Sequence, residues 1–492
     1  MCGSRCCLSA LALLVTGAAF GAAAQAPARA ERSDDGSFQL SSLTTEGGLT
    51  ADEAARLAVD TSRRIAAARG VAQTADGLAG EALWSMFPRV EVSGRYTRLS
   101  DTGNGAFSSG LSPAEQAQLQ MQLGAVADTN ARAVLQSLAF YELPTVTDQY
   151  AVRVAVSYPL SGFFLTILPS YNAAESAAEA RNFQVEVERR RADLEARERF
   201  YDTFRARGSL LVAEAMLRQA EAHERQVEAS LRDGAVARVE LRRIEAQRWA
   251  AQVLVARAEG AVQISDAALR RTLHIEDDEA LTLGEDLTAT VAPVTASRAE
   301  LLRRAFAERP ELRALRALRE ARDSAATARA GARWPEIFVS AGVDVANPNA
   351  RLFPLREDWR TTWDISLVAR WSPNDFLIHN ERLAAANGEL GQADADLAMA
   401  EDMVHVEVVQ ALSETTTSDQ ALEAATAGVA AAEAGYRGRL AQLRTGAVVT
   451  SDLLDADADL SRARLDLLNA AIDVRRCRAR LAHATGRELA QN

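Results

Sequence analysis

The chain is written twice. Leu231-Arg-Asp-Gly-Ala-Val-Ala-Arg-Val-Glu-Leu241 returns as Leu443-Arg-Thr-Gly-Ala-Val-Val-Thr-Ser-Asp-Leu453, at an offset of 212 (443 less 231) without a gap. The correspondence persists to Leu269 and Leu481. Earlier in each half, Trp84-Ser-Met-Phe-Pro88 matches Arg333-Trp334-Pro335 at an offset of 247 (335 less 88), and Glu53 and Glu300 keep that offset. The first half therefore carries an insertion of 35 residues (247 less 212) between Pro88 and Gly234. A duplication of this kind dictates architecture, because each copy must build the same unit and bury its apolar face against the other. It divides the chain into a first repeat over 49–275 (helix, strand, strand, long helix, helix) and a second over 297–488. A polar leader covers 25–48, a linker 276–296 and a short tail 489–492.

Ahead of the leader, Leu8 to Ala24 is uncharged and apolar or small, and it ends in Ala22-Ala23-Ala24. This reads as a secretory signal over residues 1–24. The stretch is short for the competing reading, a membrane anchor helix. Cys2, Cys6 and Cys7 lie inside it, so Cys477 is the one cysteine of the mature chain and no internal disulfide can form.

Composition removes several functions. The net charge is -12, with 67 acidic side chains against 55 basic ones, all of them arginine. Without lysine there is no P-loop lysine and no Schiff base, and the acidic balance argues against nucleic acid. The five histidines (His223, His274, His379, His405 and His483) are far apart, so neither a metal nor a cofactor is expected. No nucleophile, base and orienting group fall together, so an enzyme is not expected.

After each matched proline the pattern turns to period 2. Val90, Val92 and Tyr96 alternate with Glu91, Ser93, Arg95 and Thr97, and Tyr150, Val152, Val154, Val156 and Tyr158 with Gln149, Arg153 and Ser157. In the second half Ile337, Val339, Ala341, Val343 and Val345 alternate with Glu336, Ser340, Gly342 and Asp344. Trp363, Ile365, Leu367 and Trp371 alternate with Asp364, Ser366 and Arg370. Each run has about ten residues, the length of a tilted membrane strand, with aromatics at the ends. A soluble half-buried sheet would alternate in the same way; four runs at symmetric positions in an exported chain favour the membrane. Four strands cannot close a barrel, and open edges are forbidden in lipid, so several protomers must share one. The connections 100–148 and 347–360 read as loops outside the membrane.

The rest is helix-forming. Residues 172–232 and 376–443 contain no proline and predict helices of about 90 to 100 Å. Helices over 239–273 and 451–485 return along them, and shorter ones over 50–88 and 297–333 lead to the strands. Leu453, Leu460, Leu467, Val474 and Leu481 recur at every seventh position, with Ala456, Ala463, Ala470, Cys477 and Ala484 three further on. Leu383, Leu390, Leu397 and Val404 repeat likewise, a pattern of closely approaching coiled coils. Cys477 reads as a small seam residue rather than a reactive thiol.

The duplicated Leu-Arg-x-Gly-Ala-Val turn, the two strand pairs, Gly446 to Ala456 and the closing Ala484-Thr485-Gly486 resemble the TolC-like outer-membrane efflux family. The resemblance covers nearly the whole mature length. It implies a mainly α fold with membrane β: duplicated long-helix coiled-coil hairpins and four transmembrane strands per protomer. It further implies a homotrimer with a twelve-strand β-barrel in outer-membrane lipid, above a twelve-helix α-barrel in the periplasm. It implies conduction rather than catalysis, with a periplasmic adaptor (membrane fusion protein) and an inner-membrane transporter of RND or ABC type as partners.

The site residues follow from the same resemblance. Asp452 and Asp455 match the acidic ring that narrows the periplasmic entrance, and their spacing puts both on one helix face; the plainer reading is two solvated carboxylates at a helix start. Glu240 sits where the first repeat offers an acidic latch partner. Leu443 and Val448 stand where the family latches with Tyr and Arg, so the gate departs from the pattern. Arg243 is within reach of Asp452 or Asp455, or is a solvated surface arginine. The turns Gly234, Ala235, Val236 and Gly446, Ala447, Val448 match the adaptor-docking tips. An exit duct of a tripartite efflux pump for small molecules is the leading expectation. The same channel serving type I protein secretion is the alternative, and a periplasmic coiled-coil adaptor is the competitor from another class.

Overall fold

A computed structural model of the chain describes residues 43–100, 105–106, 111–139, 142–143, 146–234, 236–276, 281–353, 355–445 and 447–486. The signal segment, most of the leader and the tail lie outside the described residues. The first repeat runs α1 (Ala51–Thr61), α2 (Arg63–Trp84), β1 (Arg89–Arg98), α3 (Pro113–Gly124), α4 (Thr129–Ala139), β2 (Asp148–Pro159), α5 (Leu168–Arg232) and α6 (Arg238–Leu273). The second runs α7 (Arg298–Glu308), α8 (Pro310–Gly331), β3 (Glu336–Asn347), β4 (Arg360–Arg370), α9 (Pro373–Arg444) and α10 (Thr450–Ala484).

The repeats begin alike. Thr50 caps α1 by accepting from the Glu53 N–H while Glu53 reaches back to the Thr50 N–H, and Ser297 accepts from the Glu300 N–H at the matched start of α7. Each leading helix, expected to be continuous, is broken in two. Arg309 leaves the helical region at ψ 123 because Pro310 follows it, and a proline ring crowds a helical residue before it. Ser62 has nearly the same backbone, ψ 121, at the position 247 earlier, and its hydroxyl caps α2 by accepting from the Ile65 N–H.

The long helices α5 and α9 contain 65 and 72 residues, about 98 and 108 Å at 1.5 Å per residue. α6 returns along α5 and α10 along α9. The seam holds at Leu453, Leu460, Val474 and Leu481, all buried, but Leu467 is half-buried and its neighbour Leu468 is fully buried instead. The cause is a third helix. Leu468 lies on Gly208 of α5, where a Cβ would stand 2.4 Å from the leucine side chain, so α10 answers to α5 as well as α9. Further along α10, away from its start, Leu301 and Leu312 pack with Val404, Val408 and Leu481. On α5, Phe200 and Phe204 are fully buried and meet edge to face at 5.2 Å.

The four strands form one antiparallel sheet in the order β1–β2–β3–β4, so the join between repeats is the β2–β3 ladder. In register, Val92, Val154, Val343 and Trp363 fall on one face and Ser93, Arg153, Asp344 and Thr362 on the other. The apolar face is open: Val92 is 69% exposed and Trp363 73%. Apolar side chains on one face and charge on the other are what lipid outside and water inside require. Among the described residues, β1 and β4 are paired on one side only. Among the described residues, no helix is long and apolar enough to cross a membrane.

Two connections are more structured than expected. The 100–148 segment holds α3, with a capping box between Ser112 and Glu115, and α4. The end of the leader pairs with the linker: Thr45 N–H donates to Leu283 O, Leu49 N–H to Thr282 O and Gly284 N–H to Leu49 O, each at 2.8 Å.

Candidate functional site

The two tips are built alike. α5 closes with the Asp233 N–H on Ala229 O (3.2 Å) and the Gly234 N–H on Leu231 O (3.1 Å), and Gly234 takes φ +74, a conformation glycine adopts without strain. α9 closes with the Thr445 and Ala447 N–H groups on Gln442 O at 3.2 and 2.9 Å. The returning helices start from Ala237 and Val449, whose backbones are extended and whose side chains offer no cap. In each first turn the third N–H folds back on the cap carbonyl, Glu240 N–H on Ala237 O and Asp452 N–H on Val449 O at 3.0 Å each, and that same matched position carries a carboxylate, which the positive end of the helix favours. Ala235 and Gly446 lie outside the described residues.

A small apolar core holds the tips together. Val227 of α5, Ile244 of α6 and Leu454 of α10 are buried against one another, with Val236 and Leu241 packed on them. The first-repeat turn and the start of α10 are thereby fixed at one end of the helices. Glu240 and Asp452 are half-buried; Asp455 and Arg243 are exposed. Among the described residues, Arg243 makes no ion pair or hydrogen bond with Asp452 or Asp455; the ion pair on that turn is Arg242 with Glu245 at 2.7 Å. Leu443 and Val448 are half-buried and offer no polar latch. Apolar side chains remain open beside both turns, with Val239 74% and Val449 63% exposed.

Sequence reasoning missed a polar layer just above the tips. Asp457 of α10 is buried, and burial pushes its carboxyl up to about 6, against the pull of Arg464. Tyr436 of α9 is raised by burial and by the Asp457 charge. Arg464 pairs with Glu433 at 3.8 Å. His223 is buried and held low by desolvation. The one signal was an aspartate between Leu453 and Leu460; flanking seam positions are usually charged and solvated, so it reads as ordinary. Cys477 is half-buried and burial raises its thiol, the state of a packing residue rather than a thiolate.

A two-faced, open-edged sheet of membrane-length strands, continued by paired helices about 100 Å long, defines a class: an outer-membrane channel of the efflux type, with the helices as its periplasmic extension. Residues 301–487, within the second repeat, match the family of outer membrane efflux proteins, and the fold over both repeats is similar to that of solved outer-membrane channels. The fold is similar to that of the outer-membrane channel OprN, at TM-score 0.72 and 16% identity over 89% of each chain. It is similar to CusC, a protein studied for transmembrane channel formation, at TM-score 0.71 and 15% identity over 91% of this chain and 94% of that one. The Neisseria gonorrhoeae MtrE outer-membrane channel, solved in its open state, matches at TM-score 0.69 and 17% identity over 89% of each chain. No curated protein sequence matches the chain.

Proposed function

We propose that this protein is the passive exit duct of a tripartite efflux pump, a homotrimer that carries small molecules from a periplasmic adaptor and an inner-membrane transporter to the exterior. One observation carries the reading: the sheet and the helical layer are open on the same two sides. Among the described residues, β1 and β4 each have one strand neighbour and one open edge. Below them, α2 and α6 leave Val71, Leu78, Trp249 and Ile264 exposed on one side, and α9 leaves Met399, Met403 and Val406 exposed on the other. Further copies would pair the strand edges and bury both helical flanks, satisfying backbone and apolar surface together. The chain has no lysine for a nucleotide-binding loop, which fits a conduit driven by its partner.

In this reading Asp452 and Asp455, repeated by symmetry, crowd six carboxylates at one aperture and favour cations, with Glu240 beside them and Arg243 free to pair across protomers. The turns at Gly234, Ala235, Val236 and at Gly446, Ala447, Val448 receive the adaptor, with Val239 and Val449 as open apolar contacts. The native mass of the protein extracted from outer membranes in detergent tests the assembly. A trimer supports the duct; a monomer, or a soluble periplasmic species, sinks it. Capture of an ATPase exporter with the trimer, in place of a proton-driven transporter, would move the assignment to type I secretion.

A further inference from the structure

The polar face of the sheet carries a charge cluster at the end remote from the long helices. Arg153 of β2 places Nη1 2.5 Å from Asp344 Oδ2 on β3 and Nη2 3.2 Å from Asp364 Oδ1 on β4. Asp344 stands opposite Arg153 in register, but Asp364 stands opposite Gly342, one strand further. The guanidinium reaches it by crossing Gly342, where a Cβ would lie 2.7 Å from Arg153 Nη2. Both carboxylates are shared with a second cation from outside the sheet. Arg351, in the β3–β4 connection, sets Nη2 3.0 Å from Asp344 Oδ2 and 2.8 Å from Asp364 Oδ1.

The connection is folded back at its root as well. Asn349 is 4% exposed; its amide donates to Arg360 O and to Thr362 Oγ1, each at 3.1 Å, and its Oδ1 accepts from the Arg351 N–H at 3.0 Å. Thr362 shares the polar face with Asp364. The segment that begins at Pro348 therefore does not stand off the end of the sheet. It lies against the face that turns to water. β3 leaves α8 and β4 leads into α9, so this end of the sheet is the one away from the helices.

We propose that Arg351 pins the β3–β4 connection over the water-filled side of the barrel, and that Arg153, Asp344, Asp364 and Arg351 form an outer constriction that selects leaving solutes by size. The proposal rests on the channel reading above. The cluster holds two cations and two anions, so it adds bulk and a fixed aperture without a net field, unlike the wholly acidic set at the tips. All four side chains are partly exposed, between 18% and 41%, which keeps the cluster hydrated and the connection displaceable. In a shared barrel each protomer contributes one such connection to the mouth.

Thiol labelling from outside intact cells tests the constriction without passing the periplasmic tips. Ser340→Cys, in a Cys477→Ala background, puts a thiol on the polar face of β3 between Ser157 and Ser366, deeper than Asp344. A small charged maleimide should label it, and a polymer-linked maleimide should label it slowly. Arg351→Ala, and separately Asp344→Asn with Asp364→Asn, should speed the bulky reagent roughly fivefold, the scale of a partly exposed ion-pair network. Arg351→Lys should keep much of the protection. Equal bulky labelling with and without Arg351, in protein that still extracts from the outer membrane as the parent does, would overturn the proposal. A thiol that even the small reagent reaches only after denaturation would overturn the channel reading itself.

Discussion

Arg475 Nε of α10 lies 3.2 Å from Glu285 Oε1 of the linker, with 7% of the arginine side chain and 21% of the glutamate side chain exposed. Around this pair the two repeats and the linker are tied together. Arg475 Nη2 donates to the carbonyls of Asp286 and Ala289 at 2.9 Å each, the Tyr201 hydroxyl of α5 donates to Glu285 Oε1 at 2.9 Å, and the Ala51 N–H donates to Glu285 Oε2 at 3.3 Å. Removing one partner leaves the other buried and unpaired, so Arg475→Met should lower stability by about 3 kcal/mol. Thermal unfolding in detergent, followed by helical circular dichroism, would show an earlier transition. An unchanged midpoint would mean that the linker is held by its backbone pairing alone.

Asp457 should make the protein less stable as pH rises. Its folded value, about 6, lies above the ordinary aspartate value of 3.8. The stabilising proton is fully bound in the folded state below the unfolded pKa, and its contribution is lost as pH rises from about 4 through about 6. The ceiling is about 3 kcal/mol. Asp457→Asn should flatten the dependence of the urea midpoint between pH 5 and 7.5 and raise stability at the upper end. A variant that tracks the parent at both pH values would place the titration elsewhere.

Gly208 and Leu468 share one space. Gly208→Ala puts a methyl group where the leucine now sits, at a cost of about 1 to 3 kcal/mol. Leu468→Ala in the same chain should recover part of that loss, and a double-mutant cycle in chemical denaturation would measure the coupling. Strictly additive losses would show that the helices shift apart instead.

Asp452→Asn with Asp455→Asn should reduce cation selectivity in planar bilayers, read as a reversal potential closer to zero in a salt gradient, while the four strands and the helical core stay intact. Retained selectivity would assign the preference to other acidic side chains along the conduit.

The strands and long helices were legible because each follows one period. Period 2 from Val90 and from Trp363 survives as two exposed faces, and a seven-residue spacing from Leu453 survives as burial wherever two helices meet. The seam failed at Leu467 because burial there is set by α5, a partner far away in sequence. The break at Arg309 was readable from Pro310. The break at Ser62 has no proline, and only the duplication, carried back 247 positions, could have placed it. At the tips the two turns were legible as a matched pair, and the structure places them at the ends of α5 and α9. The expected reach of Arg243 to Asp452 or Asp455 is not made within the protomer. Asp457 went unseen because its burial comes from neighbours on α5 and α9 rather than from its local pattern.

The unpaired edges of β1 and β4 have a genetic consequence. If the wall of the proposed trimer is made of strands lent by each copy, a defective copy is not merely inactive: it is built into assemblies alongside sound ones. With equal amounts of parent and edge-damaged chain, random mixing leaves about one in eight trimers free of damage. A lesion confined to an outer strand should therefore behave as dominant in a cell that also makes the intact protein, whereas a lesion that prevents the chain from leaving the cytoplasm should be recessive.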